Sequence, residues 1–248
     1  MKTLAILQAR MTSTRLPGKV MMKVNGSPMI HWQSKRILEA RKIDHLIIAT
    51  SIDKSDDSLF EFMNNQGFSV YRGSLVDVFS RYLEISNIYK PASIVRLTGD
   101  CPLVMPELID EMLERFDKSN VDYLSNTLEA TFPDGLDIEI FKTETLEKLS
   151  SFSLTETEKE HVTYGIYQRP ESFTLANFNH STNLGTERWT VDYAEDLDFI
   201  RQIFSHFVGM EESFNFQDVL ELLERNPEIR SSIPGNRRNE SLEGNRHD

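Results

Sequence analysis

Apolar positions along the first half of the chain alternate between short unbroken runs and stretches at helical spacing. Leu4, Ala5, Ile6 and Leu7 form a run of the kind a strand buried on both faces needs. Ser27-Pro28 offers a capping hydroxyl and a proline for a first helical position, and helical spacing continues to about Ile43. His45 to Thr50 predicts a strand, about Asp56 to Gly67 a helix, and Phe68 to Tyr71 a strand. Ser74-x-x-Asp77 reads as a capping box for a helix over Val76 to Ile88; Ile94 to Thr98 predicts a strand and Pro106 to Phe116 a helix. This alternation predicts an α/β fold with a mostly parallel sheet covered on both sides.

The rhythm breaks after Val121. Residues 126–190 read as a small β-rich insertion, with strands at Leu136 to Phe141, Phe173 to Phe178 and Arg188 to Val191 and helical stretches near 144–150 and 156–168. Helix returns at Ala194 to Phe207 and Asp218 to Arg225. We expect one domain over 1–230 and, because almost nothing apolar follows Ser231, a disordered tail over 231–248.

Charge changes the picture through its distribution. The net charge of −12 argues against a nucleic-acid partner. Yet residues 1–50 hold nine Lys or Arg against two acids, which suits a small phosphorylated ligand held locally. Lys35, Arg36, Arg41 and Lys42 fit the solvated face of a helix. Arg10, Arg15 and Lys19 do not, because they lie in a turn directly after the first strand. With one cysteine, Cys101, no internal disulfide forms, and no apolar run approaches 20 residues, so we expect a cytoplasmic protein without membrane insertion. The absence of a leader before the first strand adds the expectation that it is not exported.

The turn itself carries the chemistry. Two guanidinium forks, one ammonium, Ser13 and Thr14 hydroxyls and Gly18 surround a space suited to a triphosphate. It is neither a dinucleotide loop nor a P-loop: one glycine is present, and Val20 follows Gly18-Lys19. Ligands of open α/β sheets bind beyond the carboxyl ends of the strands. These ends hold Gln8 and Ala9, Thr50 and Ser51, Arg72, Thr98 with Gly99 and Asp100, and Asp192. Asp100 is placed to hold Mg²⁺ together with substrate phosphates, with Asp192 as a second carboxylate or, equally, a helix cap. Arg96 interrupts an apolar strand on the face shared by Thr98 and Asp100; it either pairs with an acid of the protein or meets a substrate carboxylate.

The run Gln-Ala-Arg-Met-Thr-Ser-Thr-Arg-Leu-Pro-Gly-Lys at 8–19 resembles the opening signature of the acylneuraminate and deoxy-octulosonate cytidylyltransferases, and within that group the spore coat polysaccharide biosynthesis protein F family. The resemblance extends over about residues 1–210. It implies a three-layer, Rossmann-like nucleotide-diphospho-sugar transferase (GT-A-like) fold and transfer of CMP from CTP to an acidic sugar for surface or spore coat polysaccharide, by a Mg²⁺-dependent homodimer. It implies Arg15, Lys19 and Asp100 as catalytic residues and Asp100 and Asp192 as metal ligands. Nucleotide binding falls to Gln8, Ala9, Arg10, Ser13, Arg15, Lys19, Thr50, Ser51, Arg72, Thr98 and Gly99. The segments Pro133-Asp-Gly-Leu-Asp-Ile-Glu and Glu160-His-Val-Thr resemble family stretches that put Asp137, Glu139 and His161 near the sugar. Two other readings remain: a GT-A-type glycosyltransferase, which wants an Asp-x-Asp pair that Asp100-Cys101-Pro102 does not supply, and a noncatalytic nucleotide-binding component of polysaccharide assembly.

Overall fold

A computed structural model describes residues 1–231. Of the tail expected over 231–248, Ser231 is helical and 232–248 lies outside the described residues. The strands are β1 (Thr3–Gln8), β2 (Lys23–Val24), β3 (Ser27–Pro28), β4 (His45–Ser51), β5 (Ser69–Gly73), β6 (Ser93–Thr98), β7 (Tyr123–Ser125), β8 (Glu139–Lys142) and β9 (Leu175–Asn177). Between them run helices α1 (Met29–Leu38), α2 (Asp57–Asn65), α3 (Val78–Tyr89), α4 (Pro106–Lys118), α5 (Thr143–Ser150), α6 (Glu156–Glu160) and α7 (Tyr164–Tyr167). Helices α8 (Ala194–His206), α9 (Phe216–Arg225) and α10 (Pro227–Ser231) follow.

Seven strands form one sheet in the order β5-β4-β1-β6-β8-β7-β9. Pairing is parallel from β5 to β6 and antiparallel at β6–β8 and β8–β7. The period-2 alternation of β1 sends Ala5 and Leu7 into one apolar cluster with α1, α4 and α8, and Leu4 and Ile6 into another with α3, α5 and α7. That is the three-layer α/β arrangement expected. The strands of the segment 126–190 continue the sheet beyond β6.

Local differences from expectation have identifiable causes. Ser27-Pro28 starts no helix, because Asn25 and Gly26, with φ of 43° and 82°, form a tight turn that pairs Lys23–Val24 with Ser27–Pro28. Asn-Gly between short strands is the usual signal for such a hairpin, and it was readable. The helix α1 begins at Met29 without a side-chain cap. At α3 the cap moves by one step: Asp77 accepts from the Ser80 N–H at 2.8 Å, while Ser74 Oγ accepts from the Asp77 N–H at 3.0 Å. The expected strand at Leu136 shortens to β8, since the buried Asn126 amide takes the Ile138 N–H (2.9 Å) and donates to the Leu136 carbonyl (2.7 Å). Arg188 to Val191 is extended but makes a single bridge, Asp134 to Arg188, so no strand forms. The stretch 156–168 breaks into α6 and α7 at Val162, whose φ is 34°.

The largest departure is Arg36. It is not on a solvated face: it is fully buried and bonded to the carbonyls of Val104 (2.9 Å), Glu211 (3.0 Å) and Phe214 (2.9 Å). Its guanidinium also lies 3.9 Å from the centre of the Phe214 ring. Burial pushes its pKa down to about 10.

Candidate active site

The carboxyl ends of β1 and β6 meet because Gly99 has no side chain. A Cβ there would stand 3.0 Å from the Ala9 Cβ and 3.2 Å from the Gln8 carbonyl oxygen. The turn after β1 is held at its start by Asp56, which accepts the Met11 N–H at 2.7 Å, and closed by the Gly18 N–H donating to the Met11 carbonyl at 2.8 Å. Gly18 adopts φ 72° there, a left-handed conformation that favours glycine, and so starts the helical turn carrying Lys19. The 188–192 segment reaches the same place through the Val191 N–H, which donates to the Asp100 carbonyl at 2.9 Å.

Three distant parts of the chain therefore converge on Lys19. Its ammonium donates to Asp100 Oδ2 (3.0 Å), Asp192 Oδ1 (3.0 Å) and the Val191 carbonyl (2.7 Å). Burial alone would lower its pKa, but the two carboxylates outweigh that and hold it above the usual lysine value. Reciprocally, burial pushes both carboxyls up, but Lys19 holds Asp100 well below the usual carboxylate range and lowers the pKa of Asp192 as well. Arg15 adds a 2.6 Å ion pair to Asp192. Arg188, which sequence reasoning placed in a strand and gave no role, is buried and bonds Asp134 (3.0 Å), Asp192 (2.9 Å) and Asp196 (3.0 Å). Asp196, not Asp192, caps α8: its carboxylate takes the N–H groups of Asp192 (2.8 Å) and Tyr193 (3.0 Å). The Asp192 side chain is thereby left to face the cations.

These groups open onto a cavity of about 730 Å³. Gln8, Ala9, Arg10, Ser13, Arg15 and Lys19 line it, as do Arg96, Thr98, Gly99, Asp100, Asp137, Glu139, His161 and Asp192. Thr50, Ser51 and Arg72 do not. Ser51 donates to Asp56 at 2.5 Å, Thr50 is buried, and Arg72 bonds the Ser51 carbonyl (2.7 Å) and the Asp57 carboxylate (2.7 Å). They tie β4 to β5 and α2 behind the turn. Of the alternatives for Arg96, the acid of the protein holds: it is ion-paired with Glu139, its cross-strand neighbour on β8. Glu139 also accepts from Tyr123 (2.6 Å) and Thr163 (2.5 Å) hydroxyls. Burial, with Arg96 and Arg10 nearby, lowers the pKa of His161. Cys101 is buried and its thiol is pushed up by burial and by Asp100, which leaves it no nucleophile.

The family model for Cytidylyltransferase matches residues 4–225 of the chain. The chain belongs to the cytidylyltransferase family. Being a cytidylyltransferase, it is a nucleotidyltransferase enzyme, and its sheet and helices are those of that Rossmann-like fold. It is similar to the spore coat polysaccharide biosynthesis protein SpsF of Bacillus subtilis, at 32% identity over 91% of this chain and 95% of the relative. It is likewise similar to the uncharacterized protein MJ1063 of Methanocaldococcus jannaschii, 34% identical over 93% and 94%. Among solved structures, a cytidylyltransferase from Leptospira borgpetersenii superimposes with a TM-score of 0.89, at 32% identity over 94% of this chain and 98% of that one.

A divalent cation fits the donor set of this cytidylyltransferase. Asp100 and Asp192 are both held ionised, and the Lys19 ammonium, 3.0 Å from each, keeps them close together, so a divalent cation would bind beside that ammonium and not in its place. Among the described residues no group of three or more His, Cys, Asp or Glu is arranged to hold a metal. Two carboxylates with the remaining ligands supplied by phosphate and water is the habit of Mg²⁺. No described helix is long and apolar enough to cross a membrane.

Proposed function

We propose that this enzyme activates an acidic sugar with CTP, giving a CMP-sugar and pyrophosphate for surface or spore coat polysaccharide. The observation that carries the reading is the convergence of Lys19, Arg15, Asp100 and Asp192, from three distant segments, at one wall of one cavity. A sugar oxygen attacks the α-phosphorus and pyrophosphate departs, a reaction that asks the protein for alignment and charge neutralisation rather than a nucleophile. Arg15 and Lys19 bind the triphosphate and stabilise the charge that develops on it, while Gly99 lets the ends of β1 and β6 lie close together beneath them. Asp100 and Asp192 would hold Mg²⁺, which when bound neutralises the phosphate oxygens as a Lewis acid. Arg188, with its three carboxylate partners, keeps Asp192 aimed at that point.

Asp137, Glu139 and His161, which line the same cavity, face the sugar in this reading. Because Glu139 is already committed to Arg96, Tyr123 and Thr163, it shapes the cavity wall and holds Arg96 in place. The similarity to SpsF, whose name ties it to spore coat polysaccharide, supports the polysaccharide assignment. A cytoplasmic homodimer belongs to the same reading, and light scattering coupled to size exclusion tests the dimer. The decisive assay mixes protein, Mg²⁺ and CTP with a panel of acidic sugars, 3-deoxy-manno-octulosonate among them, and measures pyrophosphate. Release that depends on sugar, metal and CTP supports the proposal; CTP binding without release from any acidic sugar removes it.

A further inference from the structure

Helix α3 contributes one side chain to the cavity wall that the reaction above does not use. Arg81 is fully buried and lines the cavity. Its Nε donates to the Ser74 carbonyl at 2.5 Å and its Nη2 to the Leu75 carbonyl at 3.0 Å. Both bonds are to neutral oxygens of the β5–α3 loop, and they lock the plane of the guanidinium. Its Nη1 is buried and, among the described residues, has no hydrogen-bond partner. The neighbouring cations of this wall are ion-paired: Arg96, whose Nε is likewise buried without a partner, with Glu139, and Arg10 with Glu160 at 3.1 Å.

A buried guanidinium without a carboxylate is costly, as is a buried donor without an acceptor, and both costs vanish if a ligand supplies an anionic oxygen. The backbone is also shaped for this side chain. At Gly73, the last residue of β5, a Cβ would stand 2.7 Å from the Arg81 Cγ. That atom belongs to the stem rather than the mobile end, so even an alanine would displace the guanidinium.

We infer that Arg81 is a substrate-binding residue whose Nη1 donates to an anionic oxygen of a ligand in the cavity, with Gly73 as the positioning residue that makes room for it. The oxygen belongs either to the triphosphate of CTP or to the carboxylate of the sugar; this step rests on the proposed function. The charge of Arg81 then selects for an anionic substrate, where a neutral sugar would leave it unpaired.

The test measures equilibrium binding of CTP and, separately, of 3-deoxy-manno-octulosonate to the full chain and to Arg81→Gln, Arg81→Lys and Gly73→Ala. Removing a hydrogen bond to a charged group is expected to weaken one of the two ligands roughly ten- to hundredfold in Arg81→Gln. Gly73→Ala should act in the same direction on the same ligand by a smaller factor. A loss confined to CTP assigns the oxygen to the phosphates; a loss confined to the acid assigns it to the carboxylate. The loop bonds of Arg81 make misfolding of Arg81→Gln a real outcome, so the wild type is also followed by nitrogen-15 NMR of the arginine side chains. There the Arg81 Nη resonances should shift and gain protection from exchange when the relevant ligand is added. Unchanged resonances, together with affinities within twofold for any variant that folds, overturn the assignment while leaving the proposed function standing. A wild type that binds neither ligand overturns both.

Discussion

Replacing Lys19 with Met removes an ammonium that touches two carboxylates and leaves a side chain of similar length. Breaking a buried ion pair by deleting one partner costs about 3–5 kcal/mol. Two features place Lys19→Met at the lower end: the Asp100 side chain keeps 29% of its exposure, and Asp192 retains Arg15 and Arg188. We expect a loss of about 3 kcal/mol, which for a chain of this size lowers Tm by roughly 6–12 °C. The loss should depend on pH. In the wild type, burial raises the Asp100 carboxyl but Lys19 more than reverses this, so its folded pKa lies below the unfolded one. Its contribution is therefore present above the unfolded pKa of about 3.9 and lost as pH falls through the folded value. Lys19 itself, with its pKa raised, contributes fully at neutral pH and loses its effect only as pH rises through the folded value. Without Lys19 burial wins, the Asp100 carboxyl moves above its unfolded pKa, and the penalty of ionising it is greatest at neutral pH. Urea melts of both proteins from pH 4 to 8 check this: the deficit should shrink toward pH 4. A deficit below about 1 kcal/mol at pH 7, or one independent of pH, would refute the reasoning.

Three further outcomes are expected. Arg15→Ala should fold normally and lower turnover with CTP by about 10² to 10³, measured as pyrophosphate release, because a preorganised charge at the developing anion is lost. Arg188→Met leaves Asp134, Asp192 and Asp196 without their shared cation and should cost about 3–5 kcal/mol in denaturant unfolding. His161 has a folded pKa lowered by burial and by Arg96, so the unfolded chain binds its proton more readily and stability falls as pH drops below about 6.5. His161→Gln should remove part of that acid sensitivity in Tm measured from pH 7.5 to 5.

Asp100 was legible because it stands at the end of β6 directly after Gly99, and Lys19 because it follows Gly18 in the turn after β1; Asp192 was found through an expected strand over 188–191 that is extended chain with a single bridge. The parallel half of the sheet was legible because its strands are apolar runs separated by amphipathic helices. Arg36, Arg81 and Arg188 were not, since an arginine in a helix or beside a strand looks alike whether it meets water, carbonyls or three carboxylates. Their partners lie at least six residues away for Arg81 and as many as 178 for Arg36. Thr50, Ser51 and Arg72 were placed at the site by the strand-end rule, but Asp56 and Asp57 draw Ser51 and Arg72 to the outside of the turn. Tyr123–Ser125 is too short to announce itself as a strand, and exists because β8 and β9 flank it.

The carbonyl cage of Arg36 also orders events in time. A ribosome delivers α1 early, yet two of the three oxygens that receive its guanidinium belong to Glu211 and Phe214. During translation the growing chain therefore holds a cation that has no dry place to go, and the inner face of α1 stays hydrated until the segment after α8 emerges. A protein cut short before residue 211 is missing more than its last helices: it lacks the acceptors that let its first helix close.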